Sequence, residues 1–188
     1  MISGIKKGIQ VVAIDDAIHH RDDKETELVF TFCTGTFLEK IFIAKIDVDG
    51  LNSTQVIIDT LRPVLTHFRI IVTHGITVGG FNMFDIQQVH NELQKPIIAV
   101  TENEPRGDSI HEAIKNLPDY EERKKCIDNA GTLHSVKTSA GENNLYFHVK
   151  GISEKVAKQY LKKFAVRSRL PECLLLSHKI GSGLKEKK

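Results

Sequence analysis

The stretch from Ile9 to Ala17, which reads IQVVAIDDA, constrains the fold of this chain more than any other part of the sequence. Its apolar run from Val11 to Ile14 is typical of a strand that lies inside a sheet covered on both faces. Consecutive side chains of a strand point to opposite faces, so Asp15 and Asp16 cannot have the same role. We expect one to face a crevice beyond the carboxyl end of the strand. We expect the other to hold loop backbone or to face solvent.

The length and composition predict one globular domain over residues 1–188, because 188 residues can bury a single well-formed core. An apolar content of 40% and a charged content of 27% are ordinary for such a domain. No apolar run approaches the roughly 20 residues needed to span a bilayer, so no membrane is expected as a partner. Cys33, Cys126 and Cys173 lack CxxC spacing, which argues against a zinc site or a disulfide framework. We therefore predict a reducing, cytoplasmic location.

The order of the predicted elements indicates the fold class. An antiparallel meander of three strands opens the chain, and units of a helix and a buried strand follow. The predicted strands cover residues 9–17, 28–33, 37–47, 69–74, 96–100, 132–138 and 145–149. This order predicts an α/β fold of three layers with a mixed sheet, in which the meander is followed by parallel strands and helices cover both faces. That is the layout of the ribonuclease H-like fold, although the pattern alone also allows other three-layer α/β folds.

Capping residues and glycines predict several boundaries. Asn52 is a candidate N-cap for the first helix, and Asp108 is one for a short helix that ends near Leu117. The segment GITVGG at 75–80 reads as a glycine-bearing loop, and 81–93 reads as the helix that follows it. The last helix is expected to start at Pro171 and to precede the GSG segment.

Carboxylates follow several of the predicted strands, at the edge of the sheet where ligands bind in open α/β folds. Two or three carboxylates there suit Mg²⁺, which prefers oxygen ligands and keeps waters that meet substrate phosphates. Such ions orient an attacking water and stabilise the leaving oxygen of a phosphodiester. Each acid alone is equally an ordinary loop or cap residue. The set consists of Asp15, Asp16, Asp47, Asp49, Asp85, Glu102 and Glu104.

Histidines and glycines supply further candidates. His74 ends a buried strand and is a candidate metal ligand or general base, although a hydrogen-bonded strand-end histidine is the plainer interpretation. Gly75, Gly79 and Gly80 would let backbone approach a ligand closely, but the segment lacks the GK[ST] of a phosphate loop. His178 lies in an otherwise apolar helix, and we expect it to be a core histidine with a satisfied hydrogen bond.

The C-terminal third is rich in basic residues and has few acids between them. A solvated helix face with a frayed tail is the plainer interpretation. A flank that faces nucleic-acid phosphates is the alternative. The residues are Lys155, Lys158, Lys162, Lys163, Arg167, Arg169, Lys179, Lys185, Lys187 and Lys188.

Four segments carry a resemblance to a known family: AIDDA at 13–17, DVDGLNST at 47–54, HGITVGGFNMFDI at 74–86 and PECLLLSH at 171–178. They resemble the hallmark segments of the archaeal DUF99 (UPF0215) proteins, which are described as endonuclease dU. That family is similar to endonuclease V, a ribonuclease H-like, Mg²⁺-dependent nuclease that cleaves near deaminated bases. The resemblance therefore implies the same fold, a role on damaged DNA or RNA, and Mg²⁺ or Mn²⁺ as cofactor.

The resemblance also implies site residues. The aspartate that ends the first strand of endonuclease V matches Asp15. Its second acid has no identical match, and Asp49 lies nearest, with Asp47 as the alternative. Its third acid stands in an Asp-Gly pair, and that pair reads His74-Gly75 in this sequence. A histidine makes a weaker, neutral ligand for Mg²⁺ than a carboxylate does.

The leading hypothesis is a metal-dependent nuclease that cleaves phosphodiester bonds near deaminated bases. Asp15, Asp49 and His74 are the predicted catalytic residues, and the predicted metal ligands are Asp15, Asp49, Asp47 and Glu102. The predicted substrate contacts are Gly75, Gly79, Gly80, Phe81 and Asn82. The rival hypothesis is a non-catalytic member of the fold that binds nucleic acid or a protein through its basic C-terminal helices. A hydrolase for small phosphoesters is a third.

Overall fold

The structure is a computed structural model that describes residues 2, 4–20, 22–104, 109–140 and 142–184. A sheet of seven strands dominates it, with the order β3-β2-β1-β4-β7-β9-β8, and a separate hairpin joins β5 to β6. The strands are β1 Gln10–Asp16, β2 Glu25–Thr34, β3 Phe37–Asp47, β4 Ile70–His74, β5 Thr77–Val78, β6 Asn82–Met83, β7 Ile97–Thr101, β8 His134–Lys137 and β9 Asn144–Lys150.

The sheet is mixed, as the sequence predicts. Strands β1, β2 and β3 form an antiparallel meander, while β1, β4 and β7 run parallel to one another. Strands β9 and β8 then return antiparallel beside β7. The carboxyl ends of β1, β4 and β7 therefore meet at one edge of the sheet, where Asp15 and His74 end their strands.

Helices cover both faces of the sheet, and the side chains of β1 alternate between them. Val12 and Ile14 belong to the core cluster that α1, α2 and α4 share, whereas Val11 and Ala13 belong to the cluster that α5 and α6 share. All four side chains are fully buried. The three-layer α/β prediction is confirmed. The helices are α1 Ser53–Leu61, α2 Ile86–Leu93, α3 Ser109–Ile114, α4 Tyr120–Ala130, α5 Glu154–Phe164 and α6 Glu172–Leu184, with a 3₁₀ helix at Arg62–His67 after α1.

Two predictions about the segment after β4 are wrong. The segment 75–80 is not an open loop, because Thr77–Val78 pairs with Asn82–Met83 in a hairpin. The following helix begins at Ile86 and not at Phe81, since the Asp85 carboxylate caps it by accepting from the backbone N–H groups of Gln87 and Gln88.

The first helix begins directly after Asn52, as predicted, but the side chain of Asn52 makes no cap hydrogen bond to α1. Its amide oxygen accepts instead from the Asp47 N–H and from the Asn82 side chain. The GSG segment does not follow the last helix but lies inside α6. Asp108 lies outside the described residues.

None of the helices in the described part of the chain has the length and apolar character needed to cross a bilayer.

Candidate metal centre

Asp15 lies at the carboxyl end of the central strand β1 and points toward the face that α6 covers. It shares this face with Val11 and Ala13 because side chains two residues apart in a strand lie on the same side. Asp15 is 2% exposed. Its Oδ1 accepts from the backbone N–H of Asp16 at 3.1 Å. A buried carboxylate needs charged or hydrogen-bonding partners, and two histidines supply them.

His74 ends the neighbouring parallel strand β4, which brings its ring beside Asp15. Its Nδ1 lies 3.3 Å from Asp15 Oδ1. The hydrogen bond to Asp15 raises the pKa of His74, and the charges of Asp15, Glu102 and Asp16 raise it further, while burial opposes them. The pairing with Asp15 therefore favours the imidazolium form of His74.

His178 on α6 is the third member of the cluster, and sequence reasoning missed it. Its Nδ1 lies 2.9 Å from Asp15 Oδ2, and its side chain is 49% exposed. The prediction of a core histidine is therefore wrong. The feature of the sequence that could have indicated it is Gly181, three residues further along the helix, because glycine allows another backbone to approach closely. A Cβ on Gly181 would lie 2.6 Å from the carbonyl oxygen of Asp16.

Asp15, His74 and His178 together form a candidate metal centre, which we call the Asp-His-His cluster. One ligand atom from each residue lies within 4.8 Å of the others. The two imidazole rings stand nearly perpendicular, at 85°, with their centroids 5.8 Å apart. Carboxylate oxygen and imidazole nitrogen are the commonest donors to divalent metal ions in proteins, so the residues fit such an ion.

Asp16 points to the opposite face and holds loop backbone. Its Oδ2 accepts from the Gly79 N–H at 2.9 Å. Burial raises the pKa of Asp16, the Gly79 hydrogen bond lowers it, and the charge of Asp15 raises it. The two aspartates therefore have different roles, as expected, and Asp16 is the one that holds loop backbone.

Asp47 ends β3 and Asp49 lies in the loop that follows, and both contact the β5–β6 hairpin. The carbonyl oxygen of Asp47 accepts from the Asn82 side chain at 2.8 Å. Asp49 adopts a left-handed φ of 55°, and its Oδ1 accepts from the Phe81 N–H at 2.8 Å. Neither residue belongs to the Asp-His-His cluster, which is the group that meets metal-ligand spacing among the described residues. Their assignment as ligands stays a prediction.

Arg123 on α4 ties this loop and the hairpin together. It is 2% exposed. Its guanidinium donates to the carbonyl oxygens of Pro118, Gly50, Asp49 and Phe81. A single buried cation thus satisfies backbone groups from three segments of the chain. No pattern in the amino-acid sequence indicated this role.

The residues predicted to contact substrate lie in and around the same hairpin. Gly75, Gly79 and Gly80 all have positive φ values, of 74°, 53° and 78°. A Cβ on Gly80 would overlap the Asp49 carboxylate. Asn82 is fully buried, and its side chain bonds to Asp47, Asn52 and Ser53, so it holds the loop in place. The substrate contacts of these residues and of Phe81 stay predictions.

Glu102 follows β7 and pairs with Arg169. The Arg169 guanidinium lies 3.3 Å from Glu102 Oε1 and also donates to the carbonyl oxygens of Glu102 and Asn144. Other basic residues of the C-terminal third are also paired, since Lys158 contacts Glu154 and Arg167 contacts Glu172. Lys185, Lys187 and Lys188 lie outside the described residues. A phosphate-facing flank stays a prediction.

Residues 7–185 match the family described as Endonuclease dU. The chain belongs to the Endonuclease dU family. A UPF0215 protein of Methanopyrus kandleri is 36% identical to it over 186 residues, which cover 96% of this chain and 93% of that protein. The crystal structure of an Archaeoglobus fulgidus protein of unknown function is 29% identical, with a TM-score of 0.84, and the match covers 95% of this chain and 99% of that one. The expected family membership is confirmed.

A more distant structural relative identifies the fold. The structure of Ciona intestinalis endonuclease V, in complex with DNA that contains an inosine followed by a ribo-adenosine, matches with a TM-score of 0.60 and 10% identity. The match covers 95% of this chain and 86% of that one. At this identity the likeness establishes the ribonuclease H-like fold, as the sequence predicts.

Proposed function

We propose that this protein is a metal-dependent nuclease that cleaves phosphodiester bonds in nucleic acid. The Asp-His-His cluster carries the proposal, because it lies at the carboxyl edge of the parallel strands, where open α/β sheets bind their ligands. Membership of the Endonuclease dU family supports the same reaction class.

Asp15, His74 and His178 would hold a divalent cation, for which the sequence predicts Mg²⁺ or Mn²⁺. Such an ion polarises a phosphoryl oxygen and lowers the pKa of a bound water. Asp15 anchors the cluster because it is almost fully buried and touches both histidines. His178 faces solvent, which leaves one side of the cluster open to a substrate.

In this proposal the β5–β6 hairpin is a second wall of the site, on the side of the sheet that Asp16 faces. It follows His74 directly along the chain, and the hydrogen bond from the Gly79 N–H fixes it to Asp16. The missing side chains of Gly79 and Gly80 make room for Ile46 and for the Asp49 carboxylate, so these glycines shape the hairpin. Arg123 holds this wall in a single arrangement through its bonds to Asp49 and Phe81.

We propose nucleic acid with deaminated bases as the substrate. The inosine-containing DNA bound to Ciona endonuclease V supports this class. Oligonucleotides of DNA and of RNA, each in a plain, an inosine-containing and a uracil-containing version, test the proposal directly. We expect metal-dependent cleavage of the modified strands in preference to the plain ones.

The Asp15→Asn variant tests the site. Changes around a metal's ligands cost about 10- to 100-fold in activity, so removal of the central carboxylate is expected to cost at least about 100-fold. Asp59→Asn is the matched control, because Asp59 is exposed on α1 and bonds to Gln55. Unchanged activity in Asp15→Asn would refute the assignment. Salt-dependent binding without cleavage under any divalent ion would favour a non-catalytic binding protein.

A further inference from the structure

The donor atoms of the Asp-His-His cluster do not suit Mg²⁺. We propose that this cluster selects a first-row transition-metal ion, such as Mn²⁺ or Zn²⁺, over Mg²⁺. The inference deepens the proposed function, on which it rests for the role of the ion but not for the binding itself.

The chemistry of the donors carries the first step. Two of the three side chains offer imidazole nitrogen, and one offers carboxylate oxygen. Mg²⁺ is a hard ion that binds carboxylates and keeps several waters. Imidazole suits Zn²⁺, Fe²⁺, Ni²⁺ and Cu²⁺, and the affinity of a given site generally rises from Mn²⁺ to Cu²⁺. Two nitrogen donors therefore favour a transition-metal ion.

The spacing of the donors carries the second step. The Nδ1 atoms of His178 and His74 lie 2.9 Å and 3.3 Å from the two oxygens of Asp15. Neighbouring ligands that bind one ion at about 2.1 Å are separated by about 3.0 to 3.4 Å. The 3.3 Å distance lies in this range and the 2.9 Å distance lies just below it, so both imidazoles stand close to the positions of ligands of a shared ion.

The other candidate carboxylates lie outside the cluster and contact other groups. Asp16 bonds to the Gly79 N–H, Asp49 bonds to the Phe81 N–H, and Glu102 pairs with Arg169. Asp15 is therefore the one carboxylate within the cluster, as far as the described residues extend. The site gains its second and third ligands from nitrogen.

The surroundings of the cluster allow an ion to enter and then to be held. The side chain of Asp15 is 3% exposed, that of His74 is 27% exposed, and that of His178 is 49% exposed. The anchor is thus buried while the outer ligand borders solvent. The Asp16 N–H bonds to Asp15 Oδ1 and fixes the orientation of the carboxylate, as partners of metal ligands commonly do.

The test measures binding of individual ions to the metal-stripped full chain. Calorimetric titrations with MgCl₂, MnCl₂ and ZnCl₂ at one fixed pH give the three affinities. We expect Kd for Mn²⁺ and for Zn²⁺ to be at least about tenfold lower than for Mg²⁺, with Zn²⁺ the tighter of the two. Titration with Co²⁺ is expected to change the visible absorption of the ion as nitrogen ligands bind it. Equal affinity for Mg²⁺ and Mn²⁺ would overturn the inference.

A substitution that exchanges nitrogen for oxygen isolates the cause. His74→Asp gives the cluster a second carboxylate, and we expect the affinity ratio of Mn²⁺ to Mg²⁺ to fall by about tenfold. His67→Asp is the matched control, because His67 is exposed and ends the 3₁₀ helix. It should leave the ratio unchanged. His178→Asn, checked for folding by circular dichroism, should weaken the binding of Mn²⁺ and Zn²⁺ more than the binding of Mg²⁺. Unaltered ion preference in both cluster variants would also overturn the inference.

The outcomes for the ion and for the reaction are separable. Cleavage of nucleic acid with Mg²⁺ at least as tightly bound as Mn²⁺ would overturn the inference and leave the proposed function standing. Selective binding of transition-metal ions without cleavage of any oligonucleotide would support the inference and refute the proposed function.

Discussion

Replacement of Gly181 by alanine tests whether the contact between α6 and β1 sets the position of His178. A Cβ at Gly181 would lie 2.6 Å from the Asp16 carbonyl oxygen and 3.2 Å from the Ala17 Cα. Both contacts are with backbone, which has no flexible side chain to yield. To restore an ordinary separation, α6 must move away from β1 by roughly half an ångström.

The magnitude follows from two opposing terms. Alanine in place of glycine inside a helix stabilises by roughly 0.5 to 1 kcal/mol. Overpacking of a tight contact costs about 1 to 3 kcal/mol. Gly181→Ala is therefore expected to lower the free energy of unfolding by about 0 to 2.5 kcal/mol. Movement of α6 would also stretch the bonds from the Thr31 hydroxyl to Cys173 and Ser177, which are 2.9 Å and 2.7 Å long.

Gly183 provides a matched control in the same helix. A Cβ there would meet no atom within 4 Å. Gly183→Ala should therefore bring the stabilisation that alanine gives to a helix, without the clash. This stabilisation is smaller than in the middle of a helix because Gly183 lies near the end of α6. Urea unfolding of the two metal-free variants measures their free energies of unfolding. We expect that of Gly183→Ala to be about 1 to 3 kcal/mol higher than that of Gly181→Ala.

Metal affinity provides the second assay of the same reasoning. If α6 moves, His178 moves relative to Asp15, so Gly181→Ala should bind Mn²⁺ more weakly while Gly183→Ala binds it like the parent chain. The reasoning is refuted if Gly181→Ala proves as stable as Gly183→Ala and retains full affinity for Mn²⁺.

Three further predictions concern stability and reactivity. Arg123→Met leaves four backbone carbonyls without their donor and should cost about 3 to 5 kcal/mol in urea unfolding, and Arg123→Lys should restore only part of this because lysine lacks the guanidinium fork. Asp15 raises the pKa of His74 above its ordinary 6.5, so the pair stabilises the metal-free protein fully below pH 6.5, and this contribution is lost as pH rises through the raised pKa. Ligand protons compete with a metal ion, so the increase in Tm caused by Mn²⁺ should grow with pH, and a series of melting curves with and without Mn²⁺ measures both trends. Burial raises the pKa of Cys126 from 9.0 to about 11, so iodoacetamide should modify it about 100-fold more slowly in native protein than in urea, as followed by peptide mass spectrometry.

The central strands could be predicted because their sequence signal is local. Strands β1, β4 and β7 are buried on both faces, so each one contains an uninterrupted run of apolar residues. Such a short run is typical of a buried strand. The start of α2 was harder to locate. Phe84, Val89 and Leu93 suggest the inward face of one helix, which predicts a helix that starts too early, but the hairpin and the Asp85 cap delay the helix until Ile86. Tertiary contacts of the hairpin thus override local preference.

The site could be predicted only where strand geometry fixes it. Asp15 and His74 end adjacent parallel strands, so their proximity follows from the fold. His178 depends on where a helix crosses the sheet, and its apolar neighbours Leu174 to Leu176 suggest an ordinary core helix. Arg123 was missed for a related reason: its partners are backbone carbonyls, which every residue carries and no sequence pattern identifies.

The Asp-His-His cluster joins parts of the chain that are far apart in sequence. His74 lies 59 residues from Asp15, and His178 lies 163 residues from it. On a growing polypeptide, the strands that carry the first two residues leave the ribosome long before α6 exists. The three side chains therefore cannot meet until synthesis has passed His178. Any activity that depends on this cluster would therefore be absent from incomplete chains and would begin only when α6 docks on the sheet.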